Sequence, residues 1–173
     1  MTGLPQQEQF LARLELHKKI LYKVANAFCR DAENRRDLSQ QIVTELWRSF
    51  GRFDEGRSRF STWMYRIAMN VAISFSRSER RRTSRMTPIE ESVFEVAAPE
   101  RALEESPGDL RRLHEFINRE LDELNRALVI LYLDGNSHET IGEILGISSS
   151  NVGTRVGRIK EQLRRHFDRA RRD

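Results

Sequence analysis

The chain has 173 residues, with 30 Lys and Arg against 26 Asp and Glu and a formal net charge of +4. Its one cysteine, Cys29, excludes an intramolecular disulfide and a thiolate-rich zinc site, and the four histidines (His17, His114, His138, His166) form no HxxxH or HExxH pair. No apolar run approaches a membrane span, the start MTGLPQQEQF lacks a signal-peptide core, and there is neither a glycine-rich phosphate loop nor a GxSxG. We therefore expect a soluble, cytoplasmic chain with no catalytic activity, no cofactor and no metal. Aliphatic residues recur at helical spacing outside one central stretch, and no alternating β-branched run appears. The expected class is all-α, as two small helical domains joined by a flexible acidic linker.

The first predicted helix runs from about Gln6 to Cys29, with Phe10, Leu14, His17, Leu21, Val24, Ala25 and Phe28 on its apolar seam. A polar turn is expected over Arg30–Arg36. The second helix spans about Asp37 to Phe50, burying Leu38, Ile42, Val43, Leu46, Trp47 and Phe50 and showing Gln40, Gln41, Thr44, Glu45 and Arg48 on its other face. A loop, GRFDEGRSR from Gly51 to Arg59, leads to a third helix. This helix is expected to be capped by the hydroxyl of Ser61 or Thr62 and to reach about Arg80.

The third helix combines Trp63, Tyr65, Arg66 and Asn70 with an arginine cluster, Arg77, Arg80, Arg81, Arg82 and Arg85. Aromatics interleaved with basic residues suit single-stranded nucleic acid, where rings take unstacked bases and arginines follow phosphates. Ile67 and Val71 are read as core at helical spacing. The arginines repel one another unless a polyanion joins them.

From Met86 to Asp109 the composition changes: three of the four prolines and seven acidic residues fall here against one arginine. This is the expected linker. Beyond it, a helix from Leu110 to Leu121 buries Leu113, Phe116, Ile117 and Leu121, and a break at Asp122–Asn125 precedes a helix over Arg126–Leu133. Ser137 to Leu163 then reads as a helix-turn-helix. Ser137 caps a helix carrying Ile141, Ile144 and Leu145, and Gly146 stops it. Ser148 or Ser149 caps a second helix with the stripe Val152, Val156, Ile159 and Leu163. Its opposite face, Asn151, Thr154, Arg155 and Arg158, is cationic and donates hydrogen bonds, as a helix in the DNA major groove requires. The same pattern also occurs in all-α proteins that do not bind DNA.

These segments together resemble the extracytoplasmic-function group of bacterial sigma factors, over about His17 to Phe167. DLSQQIVTELWRSF is similar to the family's polymerase-binding helix, FSTWMYRIAMNVAISFSRSERRR is the most specific match, and LDGNSHETIGEILGISSSNVGTRVGRIKEQLRR resembles its helix-turn-helix block. The resemblance implies a region 2-like domain over 1–85, an acidic linker over 86–109 in the RNA exit path, and a region 4-like domain over 110–173. It implies docking on core RNA polymerase through Asp37, Gln40, Gln41, Glu45, Trp47 and Arg48, with Leu128, Leu131 and Tyr132 near the flap contact. It implies that the loop Phe53–Ser61 captures a flipped base of the minus-ten element, the single strand being held by Phe53, Arg59, Trp63, Arg66, Asn70, Arg77, Arg80, Arg81 and Arg82. Ser149, Ser150, Asn151, Thr154, Arg155 and Arg158 would read the minus-thirty-five element as duplex. The partners implied are core RNA polymerase, promoter DNA, and an anti-sigma factor or an activating kinase.

The sequence departs from the family where DAENRRD, with Arg35 and Arg36, replaces an acidic DAED-type cluster, and where Gln41 stands in place of a glutamate. A docking face short of negative charge binds a basic surface less well, so phosphorylation of Thr44 or Ser39 is expected to restore docking. Gly153 and Gly157 replace a lysine and a histidine common in the recognition helix. Their absent side chains would let the backbone approach DNA, or the contacts rest on Arg155 and Arg158 alone. No sensory module is evident, so regulation is expected from outside the chain. Two other functions fit parts of the pattern: a helix-turn-helix regulator binding duplex alone, and a protein that occupies polymerase without reading DNA.

Overall fold

In the computed structural model, which describes residues 5–85 and 108–170, every regular element among the described residues is an α-helix. Contacts divide the chain into two units, Met1–Arg80 and Arg81–Asp173. The acidic stretch read as a linker lies outside the described residues, apart from Gly108 and Asp109, which open a helix instead.

In the first unit, α1 (Gln6–Phe28) and α2 (Ala32–Phe50) pack side by side, and α3 begins at Phe60 and runs to Arg85. The i, i+3, i+4 spacing of Phe10, Ile20, Leu21, Val24, Ala25 and Phe28 puts them on one face of α1. That face meets Leu38, Ile42, Leu46 and Phe50 of α2, all of them buried. Met64, Tyr65, Ala68, Met69 and Ala72 form the buried side of α3. Fully burying a Leu, Ile, Met or Phe side chain contributes about 1.5–3 kcal/mol, so this seam is the main source of stability.

In this unit two helix starts differ from expectation. α2 begins five residues early, at Ala32, because the Asp31 carboxylate accepts from the Asn34 backbone N–H (2.8 Å) and side-chain amide (2.7 Å). The polar residues read as a turn are the solvent-facing first turn of a capped helix. The Asn34 N–H holds the Asp31 carboxyl below its ordinary range. α3 begins at Phe60, so Ser61 and Thr62 lie inside its first turn and do not cap it; the Arg59 carbonyl already accepts from Trp63 N–H. Burial of the Phe60 ring sets this earlier start.

The second unit contains α4 (Gly108–Glu120), α5 (Glu123–Leu133), α6 (His138–Leu145) and α7 (Ser149–Ala170). Phe116, Leu128, Leu131, Ile141, Ile144 and Val152 are its fully buried centre. Leu113 and Ile117 are only half-buried. The expected break at Asp122–Asn125 is shorter, because Asp122 accepts from Asn125 N–H (2.8 Å) and starts α5 at once. None of the described helices is long and apolar enough to cross a membrane.

Candidate nucleic-acid interface

The turn between α6 and α7 rests on two caps and two glycines. Ser137 Oγ accepts from Thr140 N–H (3.1 Å) to start α6, and Ser148 Oγ accepts from Asn151 N–H (3.1 Å) to start α7, which assigns the second cap to Ser148 rather than Ser149. Gly146 ends α6 at φ 71°, a left-handed conformation that side chains disfavour. At Gly142 a Cβ would lie 2.6 Å from the Ile147 carbonyl oxygen, so only a glycine lets the turn fold back against α6. Glu139, in the first turn of α6, bonds its own backbone N–H and the Ser137 side chain, which lower its carboxyl from the ordinary range.

This turn presents the exposed edge of α7. Ser148, Ser150, Asn151, Thr154, Arg155 and Arg158 line one open groove of about 410 Å³, while Val152, Val156 and Ile159 face the core. Ser149 is exposed at the start of the same helix. Arg155 is half-buried and already engaged: its Nε donates to Asn151 Oδ1 (2.7 Å) and its Nη1 to Asn125 Oδ1 of α5 (3.0 Å). Gly153 faces the His138 ring, and Gly157 opens onto free space.

In the first unit, the loop after α2 is tied down by rings. The Phe53 ring stacks near-parallel on Phe50 (6.4 Å between centroids), meets Phe60 edge-on (5.4 Å) and lies 4.9 Å from Trp63. The Arg13 guanidinium lies over Phe53 (5.5 Å) and Phe60 (5.8 Å) and pairs with Glu55 of the loop. The Asp54 carboxylate turns the loop by accepting from Gly56 N–H (2.8 Å). The Phe53 ring therefore packs against three other rings. It anchors the loop and is half-exposed.

Beside this cluster runs the solvent face of α3. At about 100° of rotation per residue, Trp63, Arg66, Asn70 and Arg77 fall within roughly 60° of one another, opposite the buried side, and Arg80 lies roughly 40° beyond Arg66, near the azimuth of buried Met69. Arg66, Asn70, Arg77 and Arg80 are exposed, Arg59 is exposed just before the helix, and Trp63 is half-buried. Arg81 and Arg82 are exposed in the last turns, Arg82 roughly 160° round the helix from Arg66.

The polar side of α2 forms a second surface. Asp37, Gln40, Gln41, Thr44, Glu45 and Arg48 line a shallow groove of about 400 Å³, closed on one side by Val71 of α3. Trp47 does not line it; its ring packs on Phe10 of α1 (5.2 Å) and is 43% exposed. Of the three residues expected at a polymerase contact in the second unit, Leu128 and Leu131 are 0% exposed and have no surface to offer a partner. They are core. Tyr132 is half-exposed, and its hydroxyl accepts from Lys160 Nζ (2.8 Å), which also lies over the ring (4.8 Å).

Arg13, Asn125 and Lys160 take part in these arrangements without having been singled out in the sequence. They meet partners 28 to 42 residues away, and no local pattern marks such pairs. Among the described residues no group of His, Cys, Asp or Glu is arranged to hold a metal ion.

Residues 14–82 match the family model described as Sigma-70 region 2, and residues 110–163 match that described as Sigma-70, region 4. The chain is 30% identical over 138 residues to the ECF RNA polymerase sigma-E factor of Escherichia coli, covering 73% of this chain and 70% of that protein. It is 28% identical over 170 residues to the ECF RNA polymerase sigma factor SigW of Bacillus subtilis, covering 93% and 90%. Its fold superposes with a TM-score of 0.71 and 22% identity on the sigma factor RpoE in complex with the anti-sigma factor NepR from Bartonella quintana, covering 93% of this chain and 98% of that one.

Proposed function

This chain belongs to the extracytoplasmic-function group of the sigma-70 family of RNA polymerase sigma factors, and from that premise we propose how its surfaces divide the work of starting transcription. It is an alternative sigma factor that directs transcription initiation. Residues 1–85 dock on core polymerase and hold the melted minus-ten strand, and residues 110–173 read the minus-thirty-five duplex. The stretch 86–109 links the two. The chain works in the cytoplasm and supplies no catalytic group, the chemistry being the polymerase's.

One observation carries this reading. Each unit exposes a cationic, hydrogen-bonding helix face that its own core does not use: Asn151, Thr154 and Arg158 on α7, and Arg66, Asn70 and Arg77 on α3. The first has the capped turn that suits a helix in the major groove. The second adjoins an aromatic cluster and an anchored loop, as single-strand capture requires. Reconstitution with core RNA polymerase tests it: the expected result is promoter-specific run-off transcription. Binding to a palindromic duplex without polymerase would favour a stand-alone regulator, and polymerase binding without initiation an occupying protein.

The α2 groove is the proposed polymerase contact. Its acidic content is low: Asp37 and Glu45 share it with Arg48, which lies 3.8 Å from Glu45. Thr44 lines this groove, exposed, with its hydroxyl donating to the Gln40 carbonyl (2.8 Å). A phosphate there would add the charge a basic partner needs. Thr44→Glu should bind core polymerase more tightly than the unmodified chain, and equal affinity of the two would remove the kinase from the scheme. An anti-sigma factor is the other regulator this reading admits.

A further inference from the structure

We propose that Asn125 is a specificity-determining positioning residue for the upstream promoter element: with Asn151, it holds the Arg155 guanidinium so that the remaining N–H edge reads a guanine. The proposal rests on the reading of α7 as the duplex-binding helix.

Arg155 is the half-buried member of an otherwise exposed polar edge. A guanidinium only donates, so the two amides beside it must turn their oxygens toward it. Asn151 Oδ1 takes Nε at 2.7 Å from one turn back on α7, and Asn125 Oδ1 takes Nη1 at 3.0 Å from another helix. Two acceptors on different helices fix the plane of the group, which one acceptor on its own helix would leave free to swing.

Asn125 is itself held. Its backbone N–H donates to Asp122 Oδ1 (2.8 Å), so it sits in the capped first turn of α5, and its side chain is half-buried. The chain of contacts runs from the Asp122 cap through Asn125 to Arg155, and from there to the floor of the α7 groove. Nη2 and one hydrogen of Nη1 remain, and the pair can be presented side by side at the tip when Asn125 takes the Nη1 hydrogen on the Cδ side. That pair of parallel donors matches the adjacent O6 and N7 acceptors of guanine in the major groove. Because the side chain is ordered before DNA arrives, its rotamer freedom is not lost on binding, an effect of roughly two- to tenfold in affinity at that base pair.

The test uses the full chain assembled with core polymerase on promoter templates in which each upstream base pair is varied in turn. Arg155→Ala should remove discrimination at one G·C pair. Asn125→Ala should reduce discrimination at that same pair roughly two- to tenfold and leave the other positions unchanged. Asn125→Asp keeps an oxygen in place, suits the first turn of a helix and should restore it. If Arg155→Ala abolishes discrimination but Asn125→Ala leaves it intact, the positioning role is wrong and the duplex reading survives. If Asn125→Ala weakens every position equally, Asn125 is only structural and the proposal fails. If Arg155→Ala changes no position, the proposal falls together with the assignment of Arg155 to base reading.

Discussion

Single atoms decide several positions. A Cβ at residue 142 would meet a backbone oxygen at 2.6 Å, and backbone cannot swing aside as a side-chain tip can. Gly142→Ala should cost about 1–3 kcal/mol of second-unit stability, measured by urea denaturation. Gly157, on the same helix pair, faces open space. Gly157→Ala should stabilise α7 by up to about 1 kcal/mol, since an exposed helical glycine gives up that much to alanine. The two substitutions are chemically identical and should differ in sign. At the DNA face, Arg158→Ala should weaken duplex binding about equally across sequences and lower the salt slope by about 1 if Arg158 meets a phosphate. Affinity measured at several salt concentrations distinguishes this from loss of a base contact.

At the scale of elements, four polar caps set where helices begin. Asp31, Asp122, Ser137 and Ser148 each accept from the backbone N–H three residues on. Removing such a cap with alanine costs about 0.5–2 kcal/mol. Asp31 adds a pH dependence whose sign follows from its lowered carboxyl. A group whose folded pKa lies below the unfolded one binds more protons when unfolded, so its stabilisation is present above the ordinary value of 3.8 and is lost as pH falls through the folded value. Asp31→Asn retains a capping oxygen but cannot titrate. Its melting temperature should therefore fall less steeply than that of the unmodified chain between about pH 5 and pH 2. The same caps explain two boundaries that hydrophobic periodicity placed late. The first turn of α2 presents mostly polar side chains to solvent, and that of α5 carries buried Glu123 and half-buried Asn125 and Arg126, so in both the apolar pattern starts only after the helix does.

For the whole molecule, the two units each have their own core. Substitutions on one DNA-facing surface should therefore leave the other intact. Arg77→Ala is expected to slow formation of the melted complex while upstream duplex binding stays unchanged, and Arg158→Ala to do the reverse. Their combined effect on initiation should be additive within about 0.5 kcal/mol, as for sites that act independently. Strong coupling in a double-mutant cycle would mean that the two surfaces do not act separately.

The sequence alone determined the class, the two helical blocks and the cationic helix faces proposed to meet DNA. Helical periodicity, capping residues and charge clusters are local signals, readable within one or two turns, and Ser137, Gly146 and the Arg66–Asn70 spacing all belong to that kind. Only the tertiary structure decided what those residues touch. It buried Leu128 and Leu131, turned Phe53 into an anchor among three other rings, moved Trp47 off the α2 groove, and brought Asn125 to Arg155 across 30 residues. An apolar side chain carries the same local pattern whether it faces the core or a partner. A long polar one carries no mark of the distant residue that holds it, and only packing of helix against helix settles either question.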